Sequence, residues 1–270
     1  MSRRALYVSP HLDDAALSCG GLIRRQVLGG THVLVVTVLA GAPHHRDLSE
    51  FAAQTHARWG NDPSPAAMRG EEDRRALALL GADCLHLEYP DAIYRSHGGS
   101  FLYSSDEELF SSIHPADANL LSQVAAAIAD IRSPQDSTIY APLSVGNHVD
   151  HQLVRNALLS LRAHSNEIVF YEDYPYVDRP GALTSTLEAL RTRVWESELQ
   201  PFDEMCLEAK IEAIAAYRSQ MASLFGSATA MDIRVREYAR AVSPEEGLAE
   251  RYWRVSGTRR SAQVASRTVV

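Results

Sequence analysis

Short, wholly apolar runs alternate along this chain with stretches whose apolar residues recur at helical spacing. Residues 5–9 (ALYVS) make a run of strand type. The stretch ALSCGGLIRRQVLGG behind it has a helical pattern that stops at Gly29-Gly30, a good C-terminal stop. Residues 32–40 (HVLVVTVLA) are β-branched and apolar on both faces, as a buried parallel strand requires. The alternation continues with a helix at 65–82, a strand at 83–89, a helix at 117–132, a strand at 137–143, a helix at 148–164 and a strand at 167–174. This order predicts an α/β fold: a Rossmann-like, doubly wound, mainly parallel sheet with helices on both faces and right-handed crossovers.

Two stretches, 41–64 and 90–116, are rich in Pro, Gly, Ser and His and are too long for plain connectors; loops of that length in such folds are usually functional or mobile. Beyond residue 180 the pattern changes to a strongly patterned helix at 202–225, another at 231–242 and a strand at 249–255. Within the first of these, Lys210, Ile214, Tyr217 and Met221 recur at helical spacing, the mark of a packing helix. No Gly/Ser- or Pro-rich linker precedes this part. Residues 1–180 are therefore expected to form the Rossmann-like core and 181–270 a C-terminal helical extension packed on it, a single domain overall.

Composition narrows the class. An apolar content of 46% in 270 residues supports a substantial core, and a net charge of −8 argues against a nucleic-acid surface or an anionic membrane as the main partner. Cys19, Cys84 and Cys206 lack CxxC spacing and read as reduced thiols. No apolar run approaches the roughly 20 residues of a spanning helix. The chain enters a strand by about residue 5, which leaves no room for a signal peptide, so a cytoplasmic location is expected, with homo-oligomerisation left open.

The chemistry sits at two strand ends. The first strand runs into Ser-Pro-His-Leu-Asp-Asp, with His11, Asp13 and Asp14, and the strand at 137–143 runs into Gly-Asn-His-Val-Asp-His, with His148, Asp150 and His151. Either cluster alone is compatible with an ordinary helix start, since Asp is a good N-cap. Both at matching ends point to a metal site, because open α/β sheets bind ligands outside the carboxyl ends of their strands, where strand order reverses. A catalytic zinc keeps three protein ligands and an open position, and it makes water nucleophilic near neutral pH. The two clusters offer more groups than that, which leaves some for acid–base work. His44-His45 is a further potential metal pair, but adjacent side chains diverge and no carboxylate cluster adjoins them. A loop is expected there. No GxGxxG follows the first strand, which disfavours a dinucleotide enzyme.

The segments SPHLDDAALSCGG, RGEEDRRALALLGA, GNHVDH and KIEAIAAYRSQ, in this order, resemble the LmbE-like, or PIG-L, family of zinc-dependent N-deacetylases, over residues 4 to about 225. The resemblance implies removal of acetyl from an N-acetylglucosamine-type unit of a glycoside, pseudo-disaccharide or nucleotide sugar. It implies zinc (Zn2+) on His11, Asp14 and His151, Asp13 as general base, and His148 as the group that stabilises or protonates the tetrahedral intermediate. Asp150 becomes the partner that orients a histidine, and Arg69, with Glu72 as companion, a substrate contact. Where the family has Pro-His-Pro-Asp-Asp-Glu, Leu12 and Ala15 replace the second proline and the glutamate; neither is a ligand position. An amidase of thiol conjugates shares the same ligands and is the alternative within metal hydrolysis. A sugar-binding protein that keeps the metal without turnover is the alternative outside it, and Asp13 speaks against that, since a structural site has no use for a base.

Overall fold

The computed structural model describes residues 3–43, 48–133, 136–161, 167–245 and 247–258. The chain runs through β1 (Arg4–Ser9), α1 (Asp14–Leu28), β2 (His32–Thr37), α2 (Glu50–Arg58), α3 (Pro65–Leu80) and β3 (Asp83–His86). A two-residue-per-strand hairpin follows, β4 (Ser96–His97) and β5 (Ser100–Phe101), then the single turn α4 (Asp106–Leu109), α5 (Ala118–Ile131), β6 (Asp136–Pro142), α6 (Val149–Leu161) and β7 (Glu167–Tyr171). The remainder contributes α7 (Ala182–Ala189), β8 (Arg193–Pro201), α8 (Glu204–Ala215), α9 (Arg218–Leu224), α10 (Ala228–Ala241) and β9 (Ala249–Thr258).

The main sheet has the order β3-β2-β1-β6-β7-β9-β8. Its first five strands are mutually parallel, and β9 runs antiparallel to both β7 and β8. The expected α/β architecture is thus observed, with the strand order reversing between β1 and β6. Alternation along β1 shows why both faces are covered. Leu6 and Val8 face one buried cluster with Val124 and Ile128 of α5 and Leu153 and Val154 of α6. Ala5 and Tyr7 face another, with Leu22 of α1, Leu77 and Leu80 of α3 and Ala213 of α8. Each fully buried Leu, Ile or Val among them contributes about 1.5–3 kcal/mol.

Three departures from the sequence pattern have physical causes. The continuous helix expected at 202–225 is broken: α8 ends at Ala215 and α9 starts at Arg218, with Tyr217 outside helical geometry (φ −81, ψ 67). Side-chain bonds to α3 hold this break. The Tyr217 hydroxyl donates to Asp73 at 2.7 Å, and the Ser219 backbone N–H and hydroxyl donate to Glu72 at 3.0 and 2.6 Å. Second, β8 carries no strand signal, because it is a mostly solvated edge whose residues are half-buried or exposed, so no alternation marks it. Third, the loop at 41–64 contains α2, whose Phe51 and Ala52 join Ile93, Tyr103 and Leu109 of the second long loop in a separate buried cluster. The His44-His45 pair lies outside the described residues. The three cysteines are free, Cys19 and Cys206 being buried.

Glycines in the middle of α1 serve a close helix approach. A Cβ on Gly20 would stand 2.8 Å from Lys210 Cγ, and one on Gly21 would stand 2.6 Å from the Phe202 ring. Lys210, 2% exposed, reaches Glu250 of β9 at 2.7 Å. Glu250 also accepts the Gly21 and Leu22 backbone N–H groups at 2.9 and 3.1 Å and the Tyr252 hydroxyl at 2.9 Å. One buried carboxylate thus ties α1, α8 and β9 together. Replacing Lys210 by Met strands that charge and is expected to cost about 3–5 kcal/mol, the usual scale for breaking a buried pair. Urea unfolding measures it, and a loss under about 1 kcal/mol would contradict the clamp. A chain lacking residues 203–270 is expected to be insoluble or inactive; a soluble, fully active product would show the first 202 residues to be self-sufficient.

Candidate metal centre at the strand-order reversal

Because β1 and β6 are neighbours, the loops leaving them face each other. After β1, the Ser9 hydroxyl donates to the His11 carbonyl at 2.8 Å and accepts the Ala15 N–H at 3.1 Å, and the His11 N–H donates to Asp14 Oδ2 at 2.9 Å. These bonds hold the turn that starts α1. After β6 the chain turns sharply through Ser144 (φ 67), Gly146 (φ 87) and Asn147 (φ 68) before α6 begins. Left-handed backbone at two non-glycine residues is strained. At Gly146 a side chain would also meet Tyr176, whose Cβ would lie 2.7 Å from an added Cβ. The Asn147 amide, held by the Phe110 and Ser111 carbonyls at 3.1 Å each, fixes the turn just before His148.

Six of the seven expected site residues, those of the two clusters, converge. His11 Nδ1 lies 3.2 Å and His151 Nε2 3.3 Å from Asp14 Oδ2, and ligand atoms of these three lie within 4.8 Å of one another. The opposite nitrogens are both occupied: His11 Nε2 bonds Asp150 Oδ2 at 2.9 Å and His151 Nδ1 bonds Asp173 Oδ1 at 2.6 Å. His151 is fully buried, yet among the described residues its Nε2 has no hydrogen-bond partner. A buried, unpartnered imidazole nitrogen beside a carboxylate, with a second carboxylate holding the far side of the ring, has the donor set of a cation site.

His11, His148 and Asp150 form a second possible grouping. There the Asp150 oxygens are already used, Oδ2 by His11 and the Ala92 N–H at 3.0 Å and Oδ1 by Arg95 at 2.5 Å. The set His11, Asp14 and His151 therefore fits a metal better.

The electrostatics separate the two adjacent carboxylates. Burial, the largest cause, pushes Asp13 up to about 7, with Arg69 pulling against it and Asp14 adding to it. Burial acts on Asp14 too, but His151 and His11 outweigh it and hold that carboxyl well below the usual range. Burial, reinforced by His11, pushes His148 well down, so its ring is neutral. Its Nδ1 accepts the Asp150 N–H at 3.2 Å, which places the ring proton on Nε2.

Arg69, the seventh expected residue, reaches Asp13 Oδ2 at 3.5 Å and stacks on Trp59 with Cζ 4.4 Å from the ring centre. Glu72 is not its companion: one helical turn on, it points to Ser219 instead. A cavity of about 120 Å³ opens over these groups, and Thr55, Trp59, Asp91, Tyr176 and Gln220 also line it. Asp91 and Asp173 are site residues that motif reading missed. Each follows a parallel strand, β3 or β7, at its carboxyl end, so the strand-end rule that found the two clusters was the available signal.

Comparison with known proteins gives the family. A family model described as PIG-L, GlcNAc-PI de-N-acetylase, matches residues 6–162. The chain belongs to the PIG-L family. It is 32% identical over 225 residues to a 2'-N-acetylparomamine deacetylase of Streptomyces fradiae, covering 80% of this chain and 73% of that one. A 2'-N-acetylparomamine deacetylase of Niallia circulans is 27% identical over 237 residues, 83% of each chain. Among solved structures, the zinc-inhibited form of teicoplanin deacetylase Orf2 superposes with a TM-score of 0.84 at 30% identity, over 96% of this chain and all of that one (100%). As a PIG-L protein with these relatives, the chain is an enzyme of the deacetylase class. Among the described residues no helix is long and apolar enough to cross a membrane.

Proposed function

We propose that this PIG-L enzyme hydrolyses the N-acetyl group of an amino sugar unit in a small antibiotic-type glycoside or pseudo-disaccharide, using one zinc ion held by His11, Asp14 and His151. The observation that carries the metal reading is the buried His151 Nε2, which among the described residues has no hydrogen-bond partner and lies 3.3 Å from Asp14 Oδ2. The sugar reading is supported by the acetylparomamine and teicoplanin deacetylases it resembles. A divalent cation at this position polarises the acetyl carbonyl and acidifies water.

The chain's own groups then divide the work. Asp13 is buried beside the proposed ligands, with one long contact to Arg69, and is free to take a proton from the attacking water. His148, with its proton on Nε2, donates to the carbonyl oxygen as negative charge gathers there, the point at which a fixed donor is most effective. Asp13 and His148 are the two groups that can deliver a proton to the departing amine. Arg69, held over Trp59, offers a planar pair of donors to substrate oxygens. The cavity of about 120 Å³ is well below the roughly 300–1,000 Å³ of a whole small-molecule pocket, so it takes the acetamido end while the rest of the substrate lies at the mouth.

Elemental analysis is expected to find one metal per chain in the wild type and none in Asp14→Ala. Because Orf2 has a zinc-inhibited form, zinc, cobalt and manganese are each titrated into chelator-stripped enzyme, with acetate release restored by the first equivalent of zinc. Full metal content in Asp14→Ala would remove Asp14 from the ligand set. Asp13→Asn and His148→Ala are expected to keep the metal and lose about 10²-fold or more in turnover. Near-normal rates at full occupancy would overturn those roles.

The reaction itself is tested with a panel containing an N-acetylated aminoglycoside, an N-acetylglucosaminyl glycopeptide and a nucleotide sugar. Acetate and the new primary amine are followed by mass spectrometry, with Asp13→Asn as blank. Tight binding of a panel member with no acetate above the blank would favour a sugar-binding protein instead.

A further inference from the structure

Arg95 does not line the catalytic cavity, yet it is one of the most deeply buried charges near it, 5% exposed. It follows the short turn 92–94 in the second long loop, and its guanidinium spans two carboxylates. Nη1 donates to Asp150 Oδ1 at 2.5 Å, and Nη2 lies 3.1 Å from Asp117 Oδ2. Asp117 is itself held by the Tyr103 hydroxyl at 2.7 Å, and Arg95 Cζ lies 5.2 Å from the centre of the Tyr103 ring. Inward, Asp150 is 0% exposed, and its Oδ2 bonds His11 Nε2 at 2.9 Å while accepting the Ala92 N–H at 3.0 Å. A continuous line of polar contacts thus runs Tyr103–Asp117–Arg95–Asp150–His11 and ends on a proposed ligand.

We propose that Arg95 is a positioning residue for the metal centre: by clamping Asp150 against His11 Nε2, it presents His11 Nδ1 to the cation. The inference rests on the reading of His11, Asp14 and His151 as ligands. A carboxylate on the far nitrogen of a metal-ligating histidine sets its ring orientation and tautomer. A fully buried Asp150 needs counter-charge to stay in that place, and the permanently charged Arg95, bonded to its Oδ1, supplies it on the side away from His11. Arginine suits the task because its planar fork bridges two carboxylates at once, which the point charge of lysine does not do. The loop at 90–116 thereby acquires a role at the metal without touching it.

The test uses the full chain stripped of metal and titrated with zinc against a chromophoric chelator, which reads affinity independently of turnover. Arg95→Met is expected to bind zinc about 10- to 100-fold more weakly, the usual effect of removing a group that orients a ligand. Arg95→Lys, which keeps the charge and protects folding, should show a smaller loss of at least about threefold, and the visible spectrum of its cobalt form should differ from wild type. The deciding comparison is a double-mutant cycle. In an Asp150→Asn background, Arg95→Met should weaken binding less than about twofold further, since the residue through which it acts is already disabled. Unchanged zinc affinity in both Arg95 variants overturns the inference. So does a full loss persisting in the Asp150→Asn background, which would make Arg95 a loop-packing residue. Wild-type zinc affinity in Asp14→Ala overturns the ligand set itself.

Discussion

The parallel pairing of β1 with β6, Leu6 beside Ile139 and Tyr7 beside Tyr140, is the constraint on which the site depends, because it brings together side chains as remote in sequence as His11 and Asp150, 139 positions apart. Strand order reverses at this pair: the chain leaves β1 for β2 and β3 on one side and returns to place β6 and β7 on the other. The crossovers on the two sides diverge at such a reversal, leaving a crevice at the carboxyl ends of the strands. Both clusters, Asp91 after β3 and Asp173 after β7 open into that crevice or support its walls.

Such a crevice gathers charge that burial makes expensive. Asp13, Asp14, Asp150 and Asp173 are all buried, and so are His11, His148, His151, Arg69 and Arg95. The carboxylates are not equivalent. Asp150 and Asp173 are spent on fixed hydrogen bonds to histidine rings and backbone N–H groups. Asp14 is shared between two imidazoles, and among the described residues the Asp13 carboxylate makes one long contact, to Arg69. That ranking, from fully committed to nearly free, separates groups suited to hold geometry from one suited to move a proton. A cation at the proposed site of His11, Asp14 and His151 would offset part of the concentrated negative charge and give a partner to the His151 nitrogen, which has no hydrogen bond among the described residues.

The segment after residue 180 is part of this arrangement as well as a cover for it. Lys210 and Glu250 fasten α8 and β9 to the glycine pair of α1, the helix that begins at Asp14. The break at Tyr217 turns α9 toward the cleft, where Gln220 and Leu224 join its lining. The break at the start of α9 is thus held by bonds to Asp73 and Glu72 on α3, the helix that also carries Arg69.

What the sequence determined by itself was everything written in local periodicity and in clustered chemistry. Apolar runs on both faces dictated parallel strands, and their alternation with helical patterns dictated a doubly wound sheet. His11, Asp13, Asp14, His148, Asp150 and His151 were legible because each trio sits within a few residues of a strand end. Only the tertiary structure decided the rest, for three physical reasons. Arg95 is a polar residue in a long loop, and nothing local distinguishes it from a solvated one; its meaning comes from Asp150, 55 residues away. Asp91 and Asp173 follow strand ends, but neither belongs to a cluster of His and Asp, so only their position after a strand marked them. The break between α8 and α9 overrides an unbroken helical pattern, because bonds to another helix outweigh local propensity. The edge strand β8 is specified by pairing with β9 along its whole length, and a solvated edge writes no alternation into the sequence.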